Sequence, residues 1–187
     1  VDVRCTKDGH AVCVHDATLR RGFEVDARVE ELTLAALHAA VPPAHAPSFA
    51  QFCAAAAGRV GLMPDLKGAS RKLLDAYLES VRASLHKYDL AGSAFVIGRA
   101  DVKARLAGEV KVSWRVPLEA AKNAGIAARN PGARYYIFNH ADDFTQEHVR
   151  GFQEMGLQVI VSVNLFHYPP DEALERGRRD VARMMAW

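Results

Sequence analysis

The feature that most constrains this chain is an alternation between two kinds of segment. Short apolar runs recur at Val1–Thr6, Ala11–His15, Val60–Lys67, Ser93–Gly98, Val110–Val116, Arg134–Asn139 and Gln158–Asn164. Between several of them the apolar residues follow a helical period. In Ser70–His86, Leu73, Leu74, Tyr77, Leu78, Val81 and Leu85 fall on one face. In Asp143–Met155, Val149, Phe152 and Met155 do the same, with Asp143 or Thr145 as the cap and Gly156 as the stop. Pro117–Ala128 reads as an Ala-rich helix ending near Asn130-Pro131. Glu172–Trp187 reads as a helix with Val181 and Met184 on its apolar side. Strands that alternate with helices pair in parallel through crossovers. The exception is the start, where Lys7-Asp8-Gly9 signals a hairpin between the first two runs. An open doubly wound sheet and a closed barrel both satisfy this pattern.

Length and charge narrow the possibilities. The 187 residues suffice for one well-buried core and fall short of two comfortable domains, so a single domain over 1–187 is expected. Twenty-four Lys and Arg against 22 Asp and Glu leave a net charge of +2 without a basic run, which argues against a nucleic-acid surface. No apolar stretch is long enough to span a membrane. Cys5, Cys13 and Cys53 lack metal-type spacing and form no disulfide framework, which favours a reducing, cytoplasmic setting over secretion. There is no G-x-G-x-x-G or G-x-x-x-x-G-K sequence, so a nucleotide-binding open sheet is disfavoured. The chain starts in a strand and stops in a helix, as if cut at both ends.

In parallel α/β folds the chemistry gathers at the carboxyl ends of the strands. Asp65 and Lys67 end one run, Arg99 follows another, and Trp114 and Arg115 lie late in the next. Asn139, His140 and Asn164 end two more; His15 and Asp16 end the hairpin strand, and Asp2 lies in the first strand. Asp2 and Asp65, on different strands, can hold a hard cation through oxygen ligands, or can each pair with Lys67, Arg4 or Arg99 as a structural ion pair. Lys67 can neutralise a phosphate oxygen or simply extend its stem along the surface. His15 can exchange protons, with Asp16 bonding the turn or Thr18 to fix the loop that carries it.

The stretch Asp2-Val3-Arg4-Cys5-Thr6-Lys7-Asp8-Gly9, continued by His15-Asp16-Ala17-Thr18-Leu19-Arg20-Arg21, resembles the glycerophosphodiester phosphodiesterase family. Glu31-Leu32-Thr33-Leu34, Pro47-Ser48-Phe49, Pro64-Asp65-Leu66-Lys67 and Gly156-Leu157-Gln158-Val159 through Val163-Asn164 are similar to its later segments. The resemblance implies a TIM-like (β/α)8 barrel whose first and last strands lie outside this chain. The first of them would carry a His-Arg-Gly with another catalytic histidine, and a Glu would stand two residues before the position of Asp2. It implies metal-dependent hydrolysis of glycerophosphodiesters to glycerol 3-phosphate and an alcohol. Asp2 and Asp65 would be ligands of Mg²⁺ or Ca²⁺, His15 the general acid or base, and Lys67 the phosphate-binding cation. Arg99, Arg115, His140 and Asn164 are further candidates for substrate binding, and Arg21 for a loop anchor. The partner is then a small phosphodiester. The departures are Asp65 for the usual Glu, Gly22-Phe23-Glu24 for Thr-Thr-Gly, Gly98-Arg99 for Ser-Phe, and Val161-Ser162 for Trp-Thr. They keep two alternatives in view: a catalytically degenerate barrel that binds phosphorylated head groups, and a cyclising phosphodiester lyase.

Overall fold

A computed structural model describes residues 1–124 and 134–187. The chain forms two compact units, Val1–Val112 and Ser113–Trp187. In the first unit, β1 (Asp2–Cys5) and β2 (Ala11–Val12) form an antiparallel hairpin, with Arg4 opposite Val12. The turn closes through Gly9, at φ +83°, and the Thr6 hydroxyl, which donates to Asp8 Oδ1 at 2.6 Å. Asp8 also accepts from the Leu34 amide at the start of α2 (Leu34–Ala40), which Thr33 caps. A Ser48/Gln51 capping box opens α3 (Phe49–Ala56). A short α1 (Arg20–Phe23) follows the hairpin.

The parallel part is built as the alternation predicts. β1 pairs with β3 (Asp65–Leu66), β3 with β4 (Phe95–Gly98), and β4 with β5 (Lys111–Trp114). Helices α4 (Leu74–Lys87) and α5 (Ala100–Ala104) make the crossovers. Val3, Leu66, Val96 and Val112 are fully buried, as are Tyr77, Leu78 and Val81 of α4. The Tyr77 hydroxyl donates to the Val3 carbonyl at 2.8 Å, tying α4 to β1. The face read from the helical period is therefore the one that is buried.

Two strands are shorter than the apolar runs suggest. β2 stops at Val12 because the Cys13 amide turns to the Pro47 carbonyl at 2.9 Å. β3 begins only at Asp65: Val60 and Met63 are exposed, and Pro64 has no amide to donate. Pro64 still contributes its carbonyl, which accepts from the Ile97 amide at 3.0 Å.

The second unit contains α6 (Leu118–Ala124), β6 (Arg134–His140), α7 (Gln146–Glu154), β7 (Gln158–Ser162) and α8 (Ala173–Met185). β6 and β7 run parallel from Tyr136 opposite Gln158 to His140 opposite Ser162. Leu118, Ala121, Ile137, Phe144 and Phe152 form the core. Thr145 caps α7 and accepts from the His148 amide. Gly156, at φ +74°, follows the helix. The expected end of the Ala-rich helix beyond residue 124 lies outside the described residues.

In α8 the expected apolar side is not the buried one. Gly177 and Asp180 are buried, whereas Val181 is 45% exposed. Leu165 occupies the space over Gly177 where a side chain would stand. Asp180 is accommodated because the Tyr168 hydroxyl donates to it at 2.5 Å and Arg183 pairs with it at 2.9 Å. No described helix is long and apolar enough to cross a membrane.

Gly98 limits how closely β3 and β4 can pair. Its φ is +120°, and a Cβ there would stand 2.2 Å from the Leu66 carbonyl oxygen. Gly98→Ala is therefore expected to cost roughly 2–4 kcal/mol of stability, read as an earlier urea midpoint. Gly92→Ala, where a Cβ meets nothing within 4 Å, serves as the control.

Candidate functional site

Side chains alternate across a strand, so burying Val3 and Leu66 turns Asp2, Asp65 and Lys67 to the opposite face. Parallel pairing places Asp2 directly beside Asp65. Two adjacent carboxylates repel, and Lys67 relieves this. Its ammonium stands 2.8 Å from Asp2 Oδ1 and 2.5 Å from Asp65 Oδ2, with only 24% of the side chain exposed. The backbone enforces this placement: the Asp65 amide donates to the Val1 carbonyl and the Lys67 amide to the Val3 carbonyl.

The charges shift one another. Burial raises the Asp2 carboxyl, but the Lys67 hydrogen bond and the positive charges around it hold it below its ordinary range. Burial lowers Lys67, but its bonds to Asp2 and Asp65 prevail and raise it.

His15 reaches the cluster from the loop after β2. Its Nε2 is 4.0 Å from Asp2 Oδ1. Arg4, on the same face of β1 as Asp2, donates from Nε to the His15 carbonyl at 2.9 Å. Asp16 Oδ1 lies 2.7 Å from His15 Nδ1 and is itself gripped by Arg21 through two hydrogen bonds of 2.6 and 2.7 Å. That grip, with the bond to His15, keeps the Asp16 carboxyl well below the usual carboxylate range.

Asp2, His15, Asp65 and Lys67 are thus brought together. Arg99 belongs to the same unit, where its guanidinium binds both oxygens of Asp101 and covers Gly68. Arg115, His140 and Asn164 belong to the second unit. Arg115 pairs with Asp143 at 3.2 Å, and the half-buried His140 ends β6. Asn164 accepts from the Phe166 amide and so starts a turn of 3-10 helix. That unit holds a cavity of about 370 Å³, lined by Arg115, Asn139, Asp143 and His148 over an apolar floor that includes Phe144 and Phe152. Sequence reasoning missed the role of Arg4 in holding His15, and the part of Asp143 and His148 in this cavity. Arg4's place two residues from Asp2 was the available signal; nothing local marked the other two.

The donor set bears on a cation. Asp2 and Asp65 offer adjacent hard oxygens, which suits Mg²⁺ or Ca²⁺ when substrate phosphate and water complete the shell. Among the described residues no group of three or more His, Cys, Asp or Glu is arranged to hold a metal. Asp2 and Asp65 are the two carboxylates that could contribute to holding a cation here.

The electrostatics set a pH window for stability. Because folding lowers the Asp2 pKa, its contribution is present above an unfolded carboxylate's value near ~4 and is lost as pH falls through the lower folded value. Because folding raises the Lys67 pKa, its contribution is present below ~10.5 and is lost as pH rises through the higher folded value. Lys67→Met should flatten the acid limb of a plot of urea stability against pH. An acid limb as steep as in the parent protein would show that Lys67 does not hold Asp2 ionised.

The sequence model of the Glycerophosphoryl diester phosphodiesterase family matches residues 1–73. No curated protein sequence matches the chain. Among solved structures, a glycerophosphodiester phosphodiesterase from Thermotoga maritima superposes with a TM-score of 0.67 at 17% identity, covering 96% of this chain and 76% of that one. One from Agrobacterium tumefaciens gives 0.66 at 18% identity, covering 86% and 72%. An Oleispira antarctica phosphodiesterase, in complex with the product sn-glycerol-3-phosphate, gives 0.61 at 18% identity, covering 93% and 74%. The chain thus resembles the Glycerophosphoryl diester phosphodiesterase family in sequence over residues 1–73, and shares the fold of these phosphodiesterases along most of its length.

Proposed function

We propose that this protein hydrolyses glycerophosphodiesters to glycerol 3-phosphate and an alcohol with the help of a divalent cation. The observation that carries this reading is the convergence of Asp2, Asp65, Lys67 and His15 on one face, with His15 Nε2 4.0 Å from Asp2. The family match over residues 1–73, the segment containing all four residues, supports it. So does the Oleispira antarctica structure, whose named product is the one expected here.

In the reaction, a water oxygen attacks phosphorus and the phosphorus–oxygen bond to the alcohol breaks. The bonding pair leaves on the alcohol oxygen, which takes up a proton; the water loses one. Lys67 supplies an ammonium for a phosphoryl oxygen, and His15 Nε2 exchanges a proton with the attacking or departing oxygen. Mg²⁺ or Ca²⁺ held by Asp2 and Asp65 would supply charge neutralisation at the phosphoryl oxygens. Arg99, which belongs to the same unit as this cluster, is assigned to substrate recognition in this reading.

A second reading rests on a specific observation. The Lys67 ammonium already sits between the two carboxylates and neutralises part of the charge that would hold a cation. A barrel that binds phosphorylated head groups without turning them over would tolerate that arrangement.

The two readings separate in one assay. Release of glycerol 3-phosphate from glycerophosphocholine should require Mg²⁺ or Ca²⁺ and stop on addition of a chelator. His15→Ala should lower kcat by about 10²–10⁴-fold. Asp65→Asn should raise the metal concentration needed for half-maximal rate. Binding of glycerol 3-phosphate without turnover under either ion would move the assignment to the binding barrel.

A further inference from the structure

Arg21 lies on α1, beyond the cluster of Asp2, Asp65 and Lys67, and is 76% exposed at its side chain. An exposed arginine is ordinarily a solvated charge. This one spends two hydrogen bonds, from Nε and one terminal nitrogen, on both oxygens of a single carboxylate, that of Asp16. A two-pronged grip fixes the plane of a carboxylate as well as its position. The same Asp16 Oδ1 that Arg21 holds at 2.7 Å lies 2.7 Å from His15 Nδ1.

We propose that Arg21 is a positioning residue that acts through Asp16 to hold His15 in one tautomer, with the proton on Nδ1 and the lone pair of Nε2 facing the reaction site. An ionised carboxylate only accepts, so the short contact requires Nδ1 to carry the hydrogen. A neutral imidazole has one N–H, so Nε2 is then bare. The other neighbour of Nδ1, an Arg21 nitrogen at 3.5 Å, is itself a donor and offers no competing acceptor. On the far side of the ring, Asp2 Oδ1 is 4.0 Å from Nε2, beyond hydrogen-bond range, and is already bonded to Lys67. Arg4 fixes the backbone of the same residue by bonding its carbonyl. Backbone and ring are thus held by different elements, β1 for the carbonyl and α1, through Asp16, for the imidazole. Adjacent residues on a strand would point apart. The dipeptide can form this contact because β2 has ended before it.

This inference rests on the hydrolase reading for the use of Nε2, so its test has an arm that does not depend on turnover. The imidazole ¹⁵N signals of His15, identified by their absence in His15→Gln, are recorded in mildly alkaline solution, where an ordinary imidazole is neutral. The parent protein should show a single tautomer protonated at Nδ1. Arg21→Met and Asp16→Ala should each show a mixture of tautomers, and Arg21→Lys a partial return toward the parent signal. Arg21 is exposed, so its substitution should leave the fold intact, checked by an unchanged urea midpoint. In the turnover arm, Arg21→Met should lower kcat roughly tenfold and leave KM within about twofold. A parent ring protonated at Nε2 would overturn the inference, as would an Arg21→Met protein whose His15 signals match the parent's. Absence of turnover in the parent protein would remove the hydrolase reading and leave the ¹⁵N contrast to decide the tautomer.

Discussion

The parallel pairing of β1 with β3 is the constraint on which the candidate site depends. It aligns Asp2 with Asp65 on the face opposite Val3 and Leu66. A slip of either strand by one residue would send its carboxylate into the apolar layer beneath α4, where an unpaired charge is strongly unfavourable. Register and chemistry are therefore coupled. The same hydrophobic burial that stabilises the sheet also presents the acidic pair. Tyr77, reaching from α4 to the Val3 carbonyl, and Gly98, yielding space to the Leu66 carbonyl, both support that register from outside the charged face.

Lys67 has two roles in this arrangement that pull against each other. As a structural cation it offsets the repulsion between Asp2 and Asp65 and keeps Asp2 ionised. In the proposed reaction it is the group that meets the phosphate. A divalent cation between the carboxylates would relieve Lys67 of the first role and leave it available for the second. Asp65 is one methylene shorter than the Glu usual in the resembling family. It keeps its carboxylate close to its own strand and within reach of Lys67 in the same strand. The ion pair between Asp65 and Lys67 is where the two readings of function diverge.

His15 is held differently. It lies beyond the end of β2, and its position comes from side chains rather than from a strand ladder. Arg4 bonds its carbonyl, Asp16 its ring, and Arg21 the Asp16 carboxylate. The second unit has its own polar arrangement, a cavity where Arg115 and Asp143 meet beside His148 and Asn139, and a buried Asp180 satisfied by Tyr168 and Arg183.

The sequence by itself determined the succession of strands and helices, because the two periodicities require each segment to bury one face. It also determined the buried face of α4, the hairpin turn and the chemical character of Asp2, His15, Asp65 and Lys67. It misread α8, since a helical wheel ranks Val181 above Asp180. Only the packing of Leu165 over Gly177 and the hydroxyl of Tyr168 turn the acidic residue inward. It overestimated β2 and β3, since a strand ends where its amides find other partners or, as at Pro64, where there is no amide. Tertiary structure alone decided that Asp2 and Asp65, 63 positions apart, share one ammonium, and that Arg4 and Arg21 serve the same histidine. Hydrophobic period is a local property legible along the chain. Which charges meet depends on register between distant strands and on where loops fold back, and that is set only when the sheet assembles.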